Sequence, residues 1–317
     1  GIVVNYFFNS GISADEKQQT RLSNAYTNFQ YSVLNQLVLE GVYSIYTNKE
    51  KYILQGSIGY KKFYERYWTF SEDTVGNNNF RGINYKHIYL RGKLIQNLKN
   101  QIFVGVTYSY NRFNNITFQE GVYPQIPKAA GLGESMSLGI GPTVVIDKRD
   151  NQFSPQKGWF AEVGYRIHDK NIGSNFNYSQ LNIDLRNYIV TKPKGILALN
   201  IITVFNSGTV PFLEKAKLGN DKIMRGYFAG RFRDDQFAAA QMEYRYPIGK
   251  IFILAGFLSA GQTAPNVSAF ALNTMQSSIG GGLRYLVNKQ KHLYVRFDAG
   301  YTQKQNWGFY LNLGDAF

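Results

Sequence analysis

The stretch YSQLNIDLRNYI, residues 178–189, separates Gln180, Asn182, Asp184, Arg186 and Tyr188 from Leu181, Ile183, Leu185 and Ile189. Polar and charged side chains fall on one face and aliphatic ones on the other, with the two-residue repeat of an extended strand that a helix of period 3.6 cannot produce. The same separation recurs in GILALNIITVFN (195–206), in SLGIGPTVVID (137–147) and in HLYVRFDAGY (292–301), where Leu293, Val295, Phe297, Ala299 and Tyr301 oppose His292, Tyr294, Arg296 and Asp298.

Outward from that stretch, alternating segments predict about sixteen strands, near 1–9, 22–32, 36–47, 51–60, 64–74, 82–95, 101–113, 134–147, 157–168, 177–190, 195–206, 235–247, 251–261, 277–287, 291–301 and 306–317. An even number lets an antiparallel sheet close with both chain ends on one side. Short connections (SVLNQ, YKKF, QNLKN, TKPK, PIGK, VNKQ) mostly alternate with long ones (10–21, 75–81, 114–133, 207–234, 262–276), as in outer-membrane barrels; TNKE and TQKQ are exceptions on the long side. A soluble sandwich would use strands of about 5–6 residues and would not keep a charged face through so many of them. The expectation is an all-β, closed antiparallel transmembrane barrel, a single domain over residues 1–317.

Composition agrees. No stretch reaches the roughly 18–20 apolar residues of a membrane-spanning helix, whereas barrel strands need only alternate. The absence of Cys among the 317 residues excludes disulfides and thiolate metal sites. The net charge of +14 is scattered through strands and loops with no nucleic-acid module, so no nucleic acid is expected as partner; a polar lumen and loops facing anionic headgroups account for it. The chain opens at Gly1 without a charged segment followed by an apolar one, so any signal peptide is expected to be already removed or never present.

KIMRGYFAGRFRDDQFAAAQMEYRYPI, residues 222–248, joins a loop rich in Gly, Arg and Asp to an alternating strand. An arginine at a glycine-hinged tip makes sense if the loop folds into the lumen and its guanidinium makes a forked pair with a carboxylate of the wall. Glu243 is the expected partner of Arg225, since Gln241, Glu243 and Arg245 share the strand's polar face.

Three motifs resemble the BamA/TamA/FhaC-type outer-membrane assembly and translocation barrels, the bacterial surface antigen family. The tip Arg225-Gly226-Tyr227 resembles the family's Val-Arg-Gly-Phe/Tyr. DKRDNQFSPQKGW resembles its periplasmic turn through Asp147, Arg149, Asp150, Asn151, Pro155 and Gly158. The last stretch, WGFYLNLGDAF, sets Trp307, Phe309, Leu311, Leu313 and Phe317 on one face. The resemblance covers residues 130–317 well and the first half by layout. It implies insertion of client outer-membrane proteins or translocation of polypeptides, with membrane lipids including lipopolysaccharide, clients and envelope-complex subunits as partners; insertases of the family normally receive clients through a soluble amino-terminal module. A passive channel or porin and a docking subunit are the alternatives. Where the family often carries a second acidic residue, GFLSAGQ offers Ser259, which predicts one carboxylate for Arg225 instead of two.

No enzyme chemistry, cofactor or metal is expected. There is no Gly-x-Ser-x-Gly elbow; His87, His168 and His292 have no Ser/Asp partners in the pattern, and His87 and His292 fall on the polar wall. Asp147, Arg149 and Asp150 read as a hydrogen-bonded turn cluster, and the glycines at 131–133 and 280–282 as places of close packing.

Overall fold

The computed structural model describes residues 2–8, 20–21, 23–33, 35–68, 80–119, 129–289 and 292–317; for 2–8 only the backbone is described. Among these there is no helix long and apolar enough to cross a membrane, only single 3-10 turns between strands. The chain gathers into two compact units, residues 1–145, 163–181 and 206–215, and residues 146–162, 182–205 and 216–317.

The first unit holds β1 (Ile2–Phe8), β2 (Asn24–Tyr31), β3 (Leu37–Tyr46), β4 (Tyr52–Tyr67), β5 (Arg81–Lys99) and β6 (Ile102–Phe118), each antiparallel to the next. It also takes most of β7 (Ser135–Asp147) and parts of β8 (Gly158–His168) and β9 (Tyr178–Val190). β4, β5 and β6 run 16, 19 and 17 residues, about three times a usual soluble strand. The faces of β3 to β6 are inverted relative to a soluble protein: Leu39, Ile58, Ile88, Leu94 and Val106 are exposed, while Ser57, Glu65, Thr107 and Ser109 are buried. Hydrocarbon outside is the environment in which that arrangement is stable.

Glycine and tyrosine abundance has a structural reason here. Gly56 and Gly92 face each other in register, and the hydroxyls of Tyr43 and Tyr108 meet over them at 2.7 Å. A Cβ at Gly56 would lie 2.6 Å from the Tyr43 Oη, and one at Gly92 2.7 Å from the Tyr108 Oη.

The second unit is built on β10 (Ile196–Gly208, its last residues in the first unit), β13 (Gln236–Ile248), β14 (Phe252–Ala264), β15 (Gln276–Asn288), β16 (Leu293–Thr302) and β17 (Trp307–Leu313), paired antiparallel in that order. Between β10 and β13 lie two short strands, β11 (Ala216–Leu218) and β12 (Phe232–Asp234), which pair only with each other. The long connection expected at 207–234 is therefore itself a hairpin. Met242, Tyr244, Leu254, Leu258 and Phe297 are exposed on one face, whereas Gln241, Glu243, Arg245, Arg284, Arg296 and Asp298 are buried on the other.

The expected strands at 51–60 and 64–74 are one strand, β4, as far as residue 67; residues 69–79 lie outside the described part. Tyr60–Phe63 contains none of the Gly, Pro, Asn or Asp that turn a chain, and its alternation simply continues. The large sheet accordingly has fifteen described strands, and the even count on which antiparallel closure rested is not met among the described residues. TNKE then falls with the short connections, while SVLNQ, one strand earlier, moves to the side of the long ones and 10–21 to the side of the short ones. β5 also runs past the expected 95, because a two-residue turn at Asn100 and Gln101, both at positive φ, suffices before β6, and β6 itself continues past the expected 113 to Phe118. Of the expected loops, 10–21 and 75–81 lie largely outside the described residues, as do residues 120–128 of the loop at 114–133, whose first residues, to 118, belong to β6.

Candidate functional site

The hairpin between β10 and β13 packs its own apolar side down within the second unit: Leu218, Ile223, Met224 and Tyr227 form one buried cluster with Phe237 and Ala239. Its tip is a tight turn. Asn220 Oδ1 accepts from the backbone N–H of Lys222 (2.7 Å) and of Ile223 (2.9 Å), Met224 stands at φ 54° and Gly226 at φ 110°. The Gly226 N–H donates to Tyr310 Oη of β17 at 2.8 Å, and the Tyr227 hydroxyl donates to the Ser277 carbonyl at 3.0 Å.

This turn aims Arg225 at the polar face of the sheet, where it is fully buried. Its guanidinium donates to Glu243 Oε2 at 2.7 Å and to Asp298 Oδ2 at 2.5 Å, and it lies 3.4 Å from the Phe257 ring centroid. Arg225 thus has two carboxylates, not one. Ser259, which replaces the expected acid, is bonded to Ser278 at 2.7 Å; the second acid comes from β16, two strands further on.

Further arginines complete the cluster. Arg245 donates to Glu243 Oε1 (2.8 Å) and pairs with Asp315 (3.0 Å); Arg284 reaches Asp298 (2.6 Å) and Glu243 (3.1 Å); Arg296 reaches Asp298 (3.1 Å). Four buried arginines, 225, 245, 284 and 296, therefore surround the carboxylates Glu243, Asp298 and Asp315. Burying so many charges is tolerable only because each is paired at hydrogen-bond distance. The glycines at 280 and 282 leave the room: a Cβ at Gly280 would meet the Phe257 ring at 2.4 Å, and one at Gly282 would meet Asp298 Oδ1 at 2.0 Å. Asp298, Arg284 and Arg296 were missed as site residues, although HLYVRFDAGY already set Arg296 and Asp298 on a polar face.

The turn motif forms a hydrogen-bonded knot. Arg149 makes a forked pair with Asp147 (2.8 and 3.1 Å), Asp150 Oδ1 accepts from the N–H of Gln156 (3.0 Å), and Asn151 Oδ1 accepts from the N–H of Phe153 (2.7 Å). Gly158, at φ 98°, approaches the Lys148 carbonyl so closely that a Cβ would lie 2.0 Å from it. The Pro155 carbonyl accepts from Arg245 at 3.3 Å, which joins this turn to the arginine cluster.

Phe317 does not share a face with Phe309, Leu311 and Leu313. Those three are exposed, whereas Phe317 is buried against Tyr188 and Ala198. The cause is Gly314: at φ 79° it ends β17 and turns the chain, and Asp315 is then held by Ser154 Oγ (2.6 Å) and Arg245. His292 is likewise off the expected wall, exposed in the turn before β16 at φ 51°. His87 does lie on the polar face of β5, 3.1 Å from Asn111 Oδ1 and stacked on Phe113.

In the first unit, Phe212 and Leu213 pack with Tyr67, Ile83, Tyr85 and Phe113, and Glu214 Oε2 accepts from Asn111 (2.7 Å), Ser137 (2.7 Å) and Tyr178 (3.0 Å). Burial pushes the Glu214 carboxyl above its ordinary range, outweighing the hydrogen bonds from Ser137, Tyr178 and Asn111 and the charge of Arg166, which pull it down. Glu214→Ala is expected to leave those donors unsatisfied and to cost about 1–3 kcal/mol, read as a lower unfolding midpoint, whereas Glu214→Gln, which keeps an acceptor, loses far less. Equal losses for the two would show that the donors find water.

No curated protein matches the sequence. Among solved structures the fold is similar to BamA of Haemophilus ducreyi lacking POTRA domains 1–3 (TM-score 0.61, 14% identity, covering 98% of this chain and 69% of that one). It is also similar to CdiB of Acinetobacter baumannii (TM-score 0.61, 12% identity, 92% and 53%), so the chain spans about half to two thirds of these proteins. The family model described as the Omp85 superfamily domain matches residues 17–317. With exposed apolar faces, a buried arginine cluster and that match over nearly its whole length, the chain belongs to the Omp85 superfamily, the β-barrels of the bacterial outer membrane that serve protein assembly and translocation.

Proposed function

We propose that the sheet closes into a transmembrane barrel with the hairpin at 216–234 inside its lumen, and that the chain inserts outer-membrane proteins or passes polypeptides across the membrane. The observation that carries this reading is Arg225, at the tip of a long connection yet wholly removed from solvent and forked between Glu243 and Asp298. A passive pore has no use for a plug held by paired charges. Closure is supported by the medium, since hydrocarbon cannot satisfy an open sheet edge.

The mechanism uses backbone pairing and no bond chemistry. β1 and β17 are the outermost strands of the sheet, and strands so placed can offer N–H and C=O groups to a client strand when their seam opens. Clients, membrane lipids and envelope subunits are the partners of this reading.

Single-channel conductance in planar bilayers tests it. Wild type is expected to conduct weakly and intermittently, and Arg225→Ala to conduct several-fold more and steadily. Large, steady currents identical in both proteins would replace the proposal by a passive channel; negligible currents in both would leave a docking subunit.

A further inference from the structure

The short connections at one end of the second unit carry exposed lysines: Lys148 and Lys157 between β7 and β8, Lys192 and Lys194 between β9 and β10, Lys250 between β13 and β14, and Lys289 after β15. Register places them together. Ile196, just after Lys194, pairs with Arg245 near the end of β13; Ile248 pairs with Phe252 across the turn containing Lys250; and Phe252 pairs with Tyr285, close to Lys289. Gln156, Lys194 and Lys250 line one small pocket.

The acids at this end are engaged elsewhere. Asp147 is held by Arg149, Asp315 by Arg245 and Ser154, and Asp150 accepts from the backbone of the turn. The lysine charge is therefore presented to the surroundings. Directly beside it, on the apolar outer face, stand Trp159, Tyr246, Phe252 and Tyr285, all exposed. The Lys148 ammonium lies 5.7 Å from the Trp159 ring centroid.

Exposed aromatic rings on the outer face of a barrel mark the depth of the membrane interface, and lysines just beyond them sit among the headgroups with their stems along the apolar surface. We propose that this rim binds the headgroups of anionic phospholipids in the leaflet on the short-turn side. Lysine, a mobile point charge, suits exchanging phosphates; a protein interface favours arginine, and the one arginine in these turns, Arg149, is already paired. The proposal needs only that the chain sits in a membrane and is independent of what the hairpin does.

The test uses the full chain in nanodiscs of phosphatidylethanolamine and phosphatidylglycerol in equal parts, with the lipids retained after mild extraction counted by native mass spectrometry. Wild type is expected to enrich phosphatidylglycerol roughly fivefold or more, since each lysine at an anionic surface contributes about that factor. Raising the salt to about 1 M, where charges are screened within about 3 Å, should abolish the enrichment. The variant carrying Lys148→Gln, Lys157→Gln, Lys192→Gln, Lys194→Gln, Lys250→Gln and Lys289→Gln should retain the two lipids equally, and the corresponding six Lys→Arg substitutions should keep the preference. Equal retention by wild type, or enrichment indifferent to salt, overturns the proposal and leaves the rim to an acidic protein surface. An unchanged preference in the Lys→Gln variant overturns it as well; if the sixfold variant does not fold, the paired variants Lys148→Gln/Lys157→Gln, Lys192→Gln/Lys194→Gln and Lys250→Gln/Lys289→Gln are each expected to lower the preference, and no loss in any of them overturns the proposal.

Discussion

Glu243→Ala is expected to be the most damaging single substitution in the second unit, lowering stability by about 3–5 kcal/mol, the cost of leaving buried charges without their partner. Its carboxylate lies within 3.1 Å of three guanidiniums, those of Arg225, Arg245 and Arg284. Arg225→Ala should cost less, because Glu243 keeps Arg245 and Arg284, and Asp298 keeps Arg284 and Arg296. Set against the roughly 5–15 kcal/mol of an ordinary domain, the Glu243 loss is a large fraction of the total. Urea unfolding of the protein in detergent micelles, followed by tryptophan fluorescence, reads both. Glu243→Gln should fall between wild type and Glu243→Ala, retaining an acceptor without the charge. A Glu243→Ala midpoint equal to that of Arg225→Ala would mean that the arginines are not held through this one carboxylate.

Gly226→Ala is expected to lift the loop tip without unfolding the sheet. At φ 110° any side chain is strained by about 1–3 kcal/mol, and the new Cβ would also lie 2.7 Å from Thr302 Cγ2 and 3.1 Å from the Gly300 carbonyl. The tip has no space to retreat into the sheet: a Cβ at Gly300 would strike the Arg225 carbonyl at 2.6 Å, and one at Gly308 would strike Gly226 Cα at 2.9 Å. Glycine at 226, 300 and 308 lets backbone lie directly on backbone. The hydrogen bond from Gly226 to Tyr310 is lost with the tip, and trypsin, excluded from buried Arg225 in wild type, should then cut there. Gly256→Ala, where a Cβ meets nothing within 4 Å, is the control and should leave both protection and stability unchanged within about 0.5 kcal/mol. Protection of Arg225 in Gly226→Ala would show that the tip tolerates the strained conformation.

Strand identity was legible wherever alternation was bounded by turn residues. β13 to β16 lie within a few residues of their expected limits, and the tip Arg225-Gly226-Tyr227 was picked out from the glycine beside the arginine. Where turn chemistry was misread the reading failed: Tyr60–Phe63 was taken for a short connection, although it holds no turn residue and an extended strand accommodates its two adjacent lysines by pointing them to opposite faces.

What the sequence alone determined was which residues share a face and which loop carries the buried arginine, because alternation and glycine conformation are local properties of the chain. Only the tertiary structure decided which charges meet. Asp298 lies 73 residues from Arg225 and reaches it through the registers of β13 to β16, while Ser259, nearer in sequence, turns to Ser278. Phe317 lost its place beside Leu313 for the same reason: the left-handed conformation at Gly314 and the pull of Arg245 and Ser154 on Asp315 outweigh an alternation that would otherwise have continued.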